Sequence, residues 1–224
     1  MTLALRPATK DDATMAAALL AETNGEFGVA VLGLGSADLQ NSAFRQWFAD
    51  SGNRFSFQYT TIAEKSGVAA GLLLAFQGSE LAKLELGCAK RIFSIYGLFG
   101  AIKMIWLNKS LTGNKEAVKG EYLIAHLAVD KDFRRQGIAQ ALLEKAEMDA
   151  RSLGLSKLVL EVEIGNHKAV TLYRKAGFEV INTVYFNDNA ARFKSPGFYK
   201  MSKTFKEHSH AKQFRSRIHD QYAL

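Results

Sequence analysis

The chain has 224 residues, of which 48% are hydrophobic and 23% charged, an ordinary globular balance that excludes disordered, collagenous and low-complexity classes. At this length about 70–75% of the unfolded chain's surface can be buried, so the fold requires neither disulfides nor a structural metal. Lysine plus arginine exceed aspartate plus glutamate by 29 to 22, and the net charge of +7 favours an anionic ligand without choosing among phosphate groups, acidic substrates, nucleic acid and membranes. The lone Cys88 suits a reducing compartment. The opening Met-Thr-Leu-Ala-Leu-Arg-Pro lacks the basic start and apolar run of a signal peptide. The longest uncharged stretches, 66–79 and 92–102, fall short of the ~20 residues needed to cross a bilayer. A soluble, cytoplasmic protein with no membrane partner is expected.

Alternation over 2–5 ahead of Arg6-Pro7 predicts a short strand, stopped by a residue that cannot donate to a ladder. Thr9, three residues before Asp12, predicts a capped helix over 13–22. Gly25, Gly28, Gly33 and Gly35 predict a loop over 24–36, after which Ser36 caps a second helix carrying Phe44, Trp47 and Phe48 inward and ending near Gly52. Strands are predicted over 55–63 and 68–76, joined by a four-residue hairpin loop at 64–67. The segment 77–119 breaks this rhythm and reads as a mostly helical insertion. Its residues Phe93, Tyr96, Phe99 and Trp106 either pack on the core or a second subunit, or wall an apolar part of a substrate.

A strand over 121–129 follows, then a helix over 138–153 with Ile138, Leu142 and Ala146 on one stripe and Gly154 as its left-handed cap. A strand over 157–164, a helix over 166–176 and strands over 179–186 and 198–205 complete an α/β, mixed α+β, pattern. The result is one domain over 1–205 with the insertion at 77–119, followed by a polar tail at 206–224.

The most informative stretch is Leu127-Ala128-Val129-Asp130-Lys131-Asp132-Phe133-Arg134-Arg135-Gln136-Gly137-Ile138-Ala139. A strand ends at Val129 and a helix begins at Gly137, so the N–H groups from Arg135 to Ala139 have no intrahelical partner. Gly137 and Ala139 let an anion approach the backbone, while the helix dipole and two arginines supply positive charge. Such a cradle suits a pyrophosphate. A Walker A loop is excluded because no Gly-Lys-Ser/Thr follows. The Gly33-Leu34-Gly35 segment is a poor dinucleotide fingerprint, because Asp38 stands where the third glycine belongs.

Arg134-Arg135-Gln136-Gly137-Ile138-Ala139 resembles the (Arg/Gln)-x-x-Gly-x-(Gly/Ala) motif of the GCN5-related N-acetyltransferases, preceded by their Leu-Ala-Val strand end. Leu160-Glu161-Val162, then Asn166, Ala169, Leu172-Tyr173 and Gly177-Phe178, resembles that family's second motif, Asn-x-x-Ala-x-x-Leu-Tyr-x-x-x-Gly-Phe. The likeness is dense over about 121–186 and fits the N-terminal Arg-Pro-Ala-Thr. It implies acetyl-CoA as co-substrate, no metal, and a central mixed, mostly antiparallel sheet. That sheet would splay open between the strands ending at Val129 and near Ile164, with the cofactor wedged between them. Leu127, Ala128 and Val129, the 134–139 turn, Asn166, Ala169 and Tyr173 would line it.

Acyl transfer to an amine of lysine type, with pKa ~10.4, needs a group to remove its proton. Glu161, on the strand entering the cleft, matches the glutamate that serves as base in the ribosomal-protein branch of the family. The position used by other branches is Ala125 here, and Glu121 lies a further four residues back, roughly 13 Å away at about 3.3 Å per residue. Glu161, Glu121 and water with no dedicated base therefore stay open. The resemblance assigns oxyanion stabilisation to the Val129 N–H at a β-bulge, and thiolate protonation to Tyr173. His126 falls one position off the face of Ala125 and reads as core.

The acceptor is expected to be a small-molecule or peptide amine, entering between the 24–36 loop, the insertion and the 187–196 loop. Two other classes compete with an acetyl-CoA-dependent N-acetyltransferase. One is an acyl-CoA sensor without turnover, against which Glu161 and Tyr173 argue. The other is a nucleic-acid partner, set aside because the basic residues outside the phosphate site are scattered.

Overall fold

A computed structural model describes residues 2–109, 116–186 and 195–205. The chain runs β1 (Leu3–Pro7), α1 (Ala13–Val31), α2 (Ala37–Ala49), β2 (Thr60–Lys65), β3 (Val68–Gln77), α3 (Leu81–Lys109), β4 (Tyr122–Val129), α4 (Ile138–Ser152), β5 (Lys157–Glu163), α5 (His167–Lys175), β6 (Glu179–Tyr185) and β7 (Gly197–Thr204). These strands form one sheet in the order β1-β2-β3-β4-β5-β7-β6. Every pairing is antiparallel except β4 with β5. Pro7 is tolerated inside β1 because that strand lies at the sheet edge.

Alternation along the strands divides the core in two. One face carries Leu72, Leu74, Phe76, Leu123 and Val159 against Ala16, Leu20, Phe44, Trp47, Phe48, Leu84 and Met104, from α1, α2 and α3. The other carries Leu73, Ala75, Ile124, Leu158, Leu160, Val162 and Met201 against Ile138, Leu142, Ala146, Val170 and Tyr173, from α4 and α5. The helices thus cover both faces, and the sheet centre is apolar on both sides.

Two features position the site. β4 and β5 are paired only at Tyr122↔Leu158, Leu123↔Val159 and Ile124↔Leu160. Beyond that point β4 stays with β3 to Val129 and β5 stays with β7 to Glu163, so the sheet opens as a wedge. The second feature is a register shift in β4, where Leu74↔His126 is followed by Ala75↔Ile124 and leaves Ala125 unmatched. The expected bulge at Val129 is not there, since Val129 pairs in register with Gly71. The extra residue turns His126 onto the face occupied by α1 and α2, contrary to strict alternation counted from Ala125.

The predicted loop over 24–36 is largely helical. α1 continues to Val31 through a break at Gly25, whose φ is +46°. Gly28 is there for close packing, because a Cβ would meet Gln40 Nε2 of α2 at 2.2 Å. The β2–β3 connection is shorter than the predicted four residues: Lys65 pairs with Val68, and Ser66 and Gly67 both have positive φ, as a two-residue hairpin turn of mirror-image type requires.

Candidate active site

The anion cradle forms where β4 gives way to α4. Asp130 Oδ1 accepts from the Asp132 N–H at 2.9 Å and closes a 3-10 turn over Lys131–Phe133. Arg135 then adopts φ +60° and Gly137 φ +80°, reversing the chain so that α4 starts at Ile138. The turn 134–137 is exposed, while Ile138 anchors the helix in the core. An open cleft of about 510 Å³ lies here, lined by Lys131, Asp132, Arg134, Arg135 and Lys168. Lys168 comes from α5, so the cleft is framed by the N-terminal ends of both helices.

The direction of the Val129 amide follows from pairing arithmetic. Asp130 donates to the Ala70 carbonyl at 2.9 Å, which makes that a hydrogen-bonded pair. Its neighbour Val129↔Gly71 is then the non-bonded kind, with the Val129 N–H and C=O turned away from β3 and toward the gap. Arg134 Nε donates to that carbonyl at 3.0 Å, and the Arg134 guanidinium also pairs with Glu22 of α1. Arg134 is thereby tied to the protein. Gln136 bonds Lys65 and, at 3.3 Å, the Asp132 carbonyl.

On α5, Asn166 accepts from the Ala169 N–H at 3.1 Å and so caps the helix. Ala169 packs at the margin of the second core cluster. Tyr173 is buried against Phe178, ring centroids 5.8 Å apart, and burial pushes its phenol up to about 12, so it stays a proton donor throughout the physiological range. Asn166, Ala169 and Tyr173 therefore differ in exposure while sharing one helix.

The opposite wall of the wedge is polar. Glu161 stands on β5 opposite Lys200 of β7, on the face of α1 and α2. Burial, and next to it the charge of Glu116, raise its carboxyl to about 7, against the opposing pull of Lys200 and Arg54. Glu116 is held by a bidentate pair with Arg54, at 2.9 and 2.6 Å. Arg54 also lies over the Phe55 ring at 5.5 Å. His126 bonds Thr23 Oγ1 at 3.0 Å and contacts the rings of Phe55 and Phe44; burial, with Arg54 second, lowers it to about 3. It is a neutral ring at all ordinary pH. Phe27 of α1 stacks on Phe186 at 5.4 Å, and both meet Phe198 of β7 edge-on at 5.2 Å, making an aromatic wall on the same face.

Of the two carboxylates weighed as base, Glu161 faces the wedge and Glu121 does not. Glu121 is buried, receives Lys157 Nζ at 2.7 Å and the Val118 N–H at 3.0 Å, and is held below the usual carboxylate range by those partners against the effect of burial. Arg54, Glu116, Thr23 and the three phenylalanines escaped the sequence reading, because they converge from distant segments with no motif among them. His126 packs against core rings as expected, although the unmatched Ala125 puts it on the same face as that residue rather than the opposite one. Of the four aromatics expected either to pack or to wall a substrate, Tyr96 packs, donating to the Leu32 carbonyl at 2.8 Å beside Trp47, whereas Phe93, Phe99 and Trp106 are exposed. Residues 187–194 of the expected acceptor loop lie outside the described residues.

The profile of the Acetyltransferase (GNAT) family matches residues 33–178. Among characterised relatives, the [ribosomal protein bS18]-alanine N-acetyltransferase of Escherichia coli K12 is 36% identical over 81 residues, covering 33% of this chain and 55% of the relative. The mycothiol acetyltransferase of Propionibacterium freudenreichii is 38% identical over 65 residues, 29% of this chain and 20% of that one. The chain thus spans about half the length, or less, of these relatives. In fold it resembles an N-acetyltransferase from Staphylococcus aureus Mu50, with TM-score 0.67 and 21% identity over 89% of this chain and 99% of the other. It also resembles the PaiA N-acetyltransferase of Thermoplasma acidophilum, solved in complex with coenzyme A, with TM-score 0.53 and 14% identity over 92% of this chain and all of that one.

Proposed function

The chain belongs to the GNAT acetyltransferase family, and from that premise we propose that it transfers an acetyl group from acetyl-CoA to a primary amine by direct attack in a ternary complex. The observation that carries this reading is the wedge between β4 and β5. It has an exposed amide turn at one end, the Val129 N–H at its lip and the buried Glu161 carboxyl across from it. The residues fit the co-substrate. A Cβ built on Gly137 would meet nothing within 4 Å, and the exposed turn before α4 leaves its amides open to a pyrophosphate. The amides of 135–139, with Arg135 and Lys168 beside them, would hold it.

Acetyl-CoA supplies the acetyl group as an activated thioester. Glu161 receives the ammonium proton of the acceptor; its carboxyl at about 7 is a stronger base than an ordinary glutamate and remains substantially ionised at neutral pH. The Val129 N–H donates to the carbonyl oxygen as negative charge develops there. Tyr173, kept neutral, gives its proton to the departing sulfur as the C–S bond breaks, and is reprotonated by the second proton that the attacking nitrogen sheds in becoming an amide. The Glu161 carboxylate is the acceptor for the incoming ammonium's proton, while Glu116 is neutralised by Arg54, and Phe27, Phe186 and Phe198 supply an apolar flank.

The test is an acceptor panel of small amines, amino acids and peptides, followed by thiol release and mass spectrometry. Peptide N-termini come first because one relative is named for acetylating a ribosomal-protein alanine. At least one amine should gain a single acetyl group with matching thiol release. Tyr173→Phe should retain CoA affinity while losing turnover. Tight CoA binding with no thiol release from any amine would favour a sensor without turnover instead.

A further inference from the structure

α3 has an unusual distribution of side chains. Gly97, with φ +64°, breaks it in two. The first segment is fixed on α2: Trp47 Nε1 donates to the Cys88 carbonyl at 3.2 Å, Arg91 pairs with Asp50 at 2.7 Å, and Gly87 lies so close to Gly52 that a Cβ would meet its carbonyl oxygen at 1.9 Å. The second segment, from Leu98, sends its small residue Ala101 and the flexible Met104 into the core, both nearly inaccessible. Its bulky residues point outward. Phe99 is 85% exposed, Trp106 65%, Leu98 62%, Ile102 56% and Ile105 53%.

At 100° per residue these five positions fall within one arc of about 120°, with Lys103 at its margin. On the first segment Phe93 and Leu86 are exposed as well, beside Lys83 and Lys90. An ordinary surface helix buries such an arc against its own domain; here that role is already taken by Ala101 and Met104.

Charge identifies what covers the arc. Along α3, Lys83, Lys90 and Lys103 are exposed, whereas Glu85 is paired with Arg54 and Arg91 with Asp50, so the charge this helix offers to a partner is positive. A second copy of the same surface would bring like charges together, whereas an anionic lipid surface complements them. Among the described residues no helix is long and apolar enough to cross a membrane. Exposed apolar side chains with lysine at the margin, and tryptophan and phenylalanine among them, instead suit a helix lying in the headgroup region. We propose that the exposed face of α3 docks the protein on the surface of an anionic bilayer. Binding of this kind needs no membrane-spanning run, so it is compatible with uncharged stretches too short to cross a bilayer.

The test uses the full chain with vesicles of phosphatidylcholine alone and of phosphatidylcholine with about 30% phosphatidylglycerol. The protein should sediment with the anionic vesicles at least about tenfold more strongly than with the neutral ones, and less as salt is raised. Trp47 is buried and Trp106 exposed, so a blue shift of emission on binding reports Trp106, and Trp106→Tyr should abolish the shift. Phe99→Glu with Ile102→Glu alters only exposed side chains; it should abolish vesicle binding while leaving the melting temperature and acetyl transfer to a soluble amine unchanged. Lys103→Glu should weaken the preference for anionic lipid. Three outcomes would overturn the proposal: equal partitioning onto both vesicle types, no shift of Trp106, or a dimer in lipid-free ultracentrifugation whose Trp106 emission is already blue-shifted.

Discussion

In the proposed mechanism Glu161 ties proton transfer, pH dependence and stability to a single residue. With its carboxyl raised to about 7, acetyl transfer should rise with pH along a limb centred near 7. Glu161→Gln should lower kcat by roughly 10²–10⁴-fold and remove that limb, read from initial rates across pH. A folded-state pKa above the unfolded 4.5 means that the native protein binds the extra proton, so the stability contributed by Glu161 is present below 4.5 and lost as pH rises through 7. The inactive Glu161→Gln should therefore melt higher than the parent at pH 8, by up to about 3 kcal/mol. His126 has the opposite sign. Its folded value, about 3, lies below the unfolded 6.5, so its contribution is present above 6.5 and lost as pH falls toward 3. Thermal melts from pH 7 to 4 should show a steeper loss for the parent than for His126→Gln. Glu161 and Tyr173 could be singled out from the sequence as candidates because each sits inside a dense local motif. Glu116 was not, since its importance arises only when a residue outside both motifs meets Arg54, 62 positions earlier.

Among the elements, the turn into α4 depends on two glycines of different kinds. Gly137 adopts φ +80°, so Gly137→Ala costs about 1–2 kcal/mol of backbone strain and places a methyl group where a phosphate would approach. Gly71, in β3, is needed for space: a Cβ there would lie 2.7 Å from the Ala128 carbonyl oxygen and 3.4 Å from Ile138. Gly71→Ala should destabilise by about 1–3 kcal/mol and weaken CoA binding at a distance, because it displaces the start of α4; denaturant melts and a binding titration check both. Periodicity revealed α2, α4, α5 and the strands, although the strand predicted over 55–63 begins only at Thr60 and runs to Lys65, after a 3-10 turn at Phe57–Tyr59. It misjudged α1, where Gly28 signalled close contact with α2 and was read as loop flexibility. It also misplaced His126, because one unmatched residue at Ala125 changes the face of every side chain counted across it.

For the whole molecule, the decisive feature is that a continuous sheet is left unpaired at its centre. Three residue pairs join β4 to β5, and beyond them the two halves diverge, each supported by its own helical layer. Arg54 and Glu116 form a largely buried ion pair beside that opening. Removing one partner strands the other charge, so Arg54→Met should cost roughly 3 kcal/mol, and the double variant with Glu116→Gln should recover part of it in a double-mutant cycle. The wedge itself was legible in the sequence only through family resemblance, since no local pattern encodes where two parallel strands part. The most direct test of its role is calorimetry with coenzyme A. The account predicts one binding site per chain for the parent and at least about tenfold weaker binding for Gly137→Ala combined with Arg135→Glu, with the fold retained. Absence of binding by the parent, or an affinity unchanged in that variant, would contradict it.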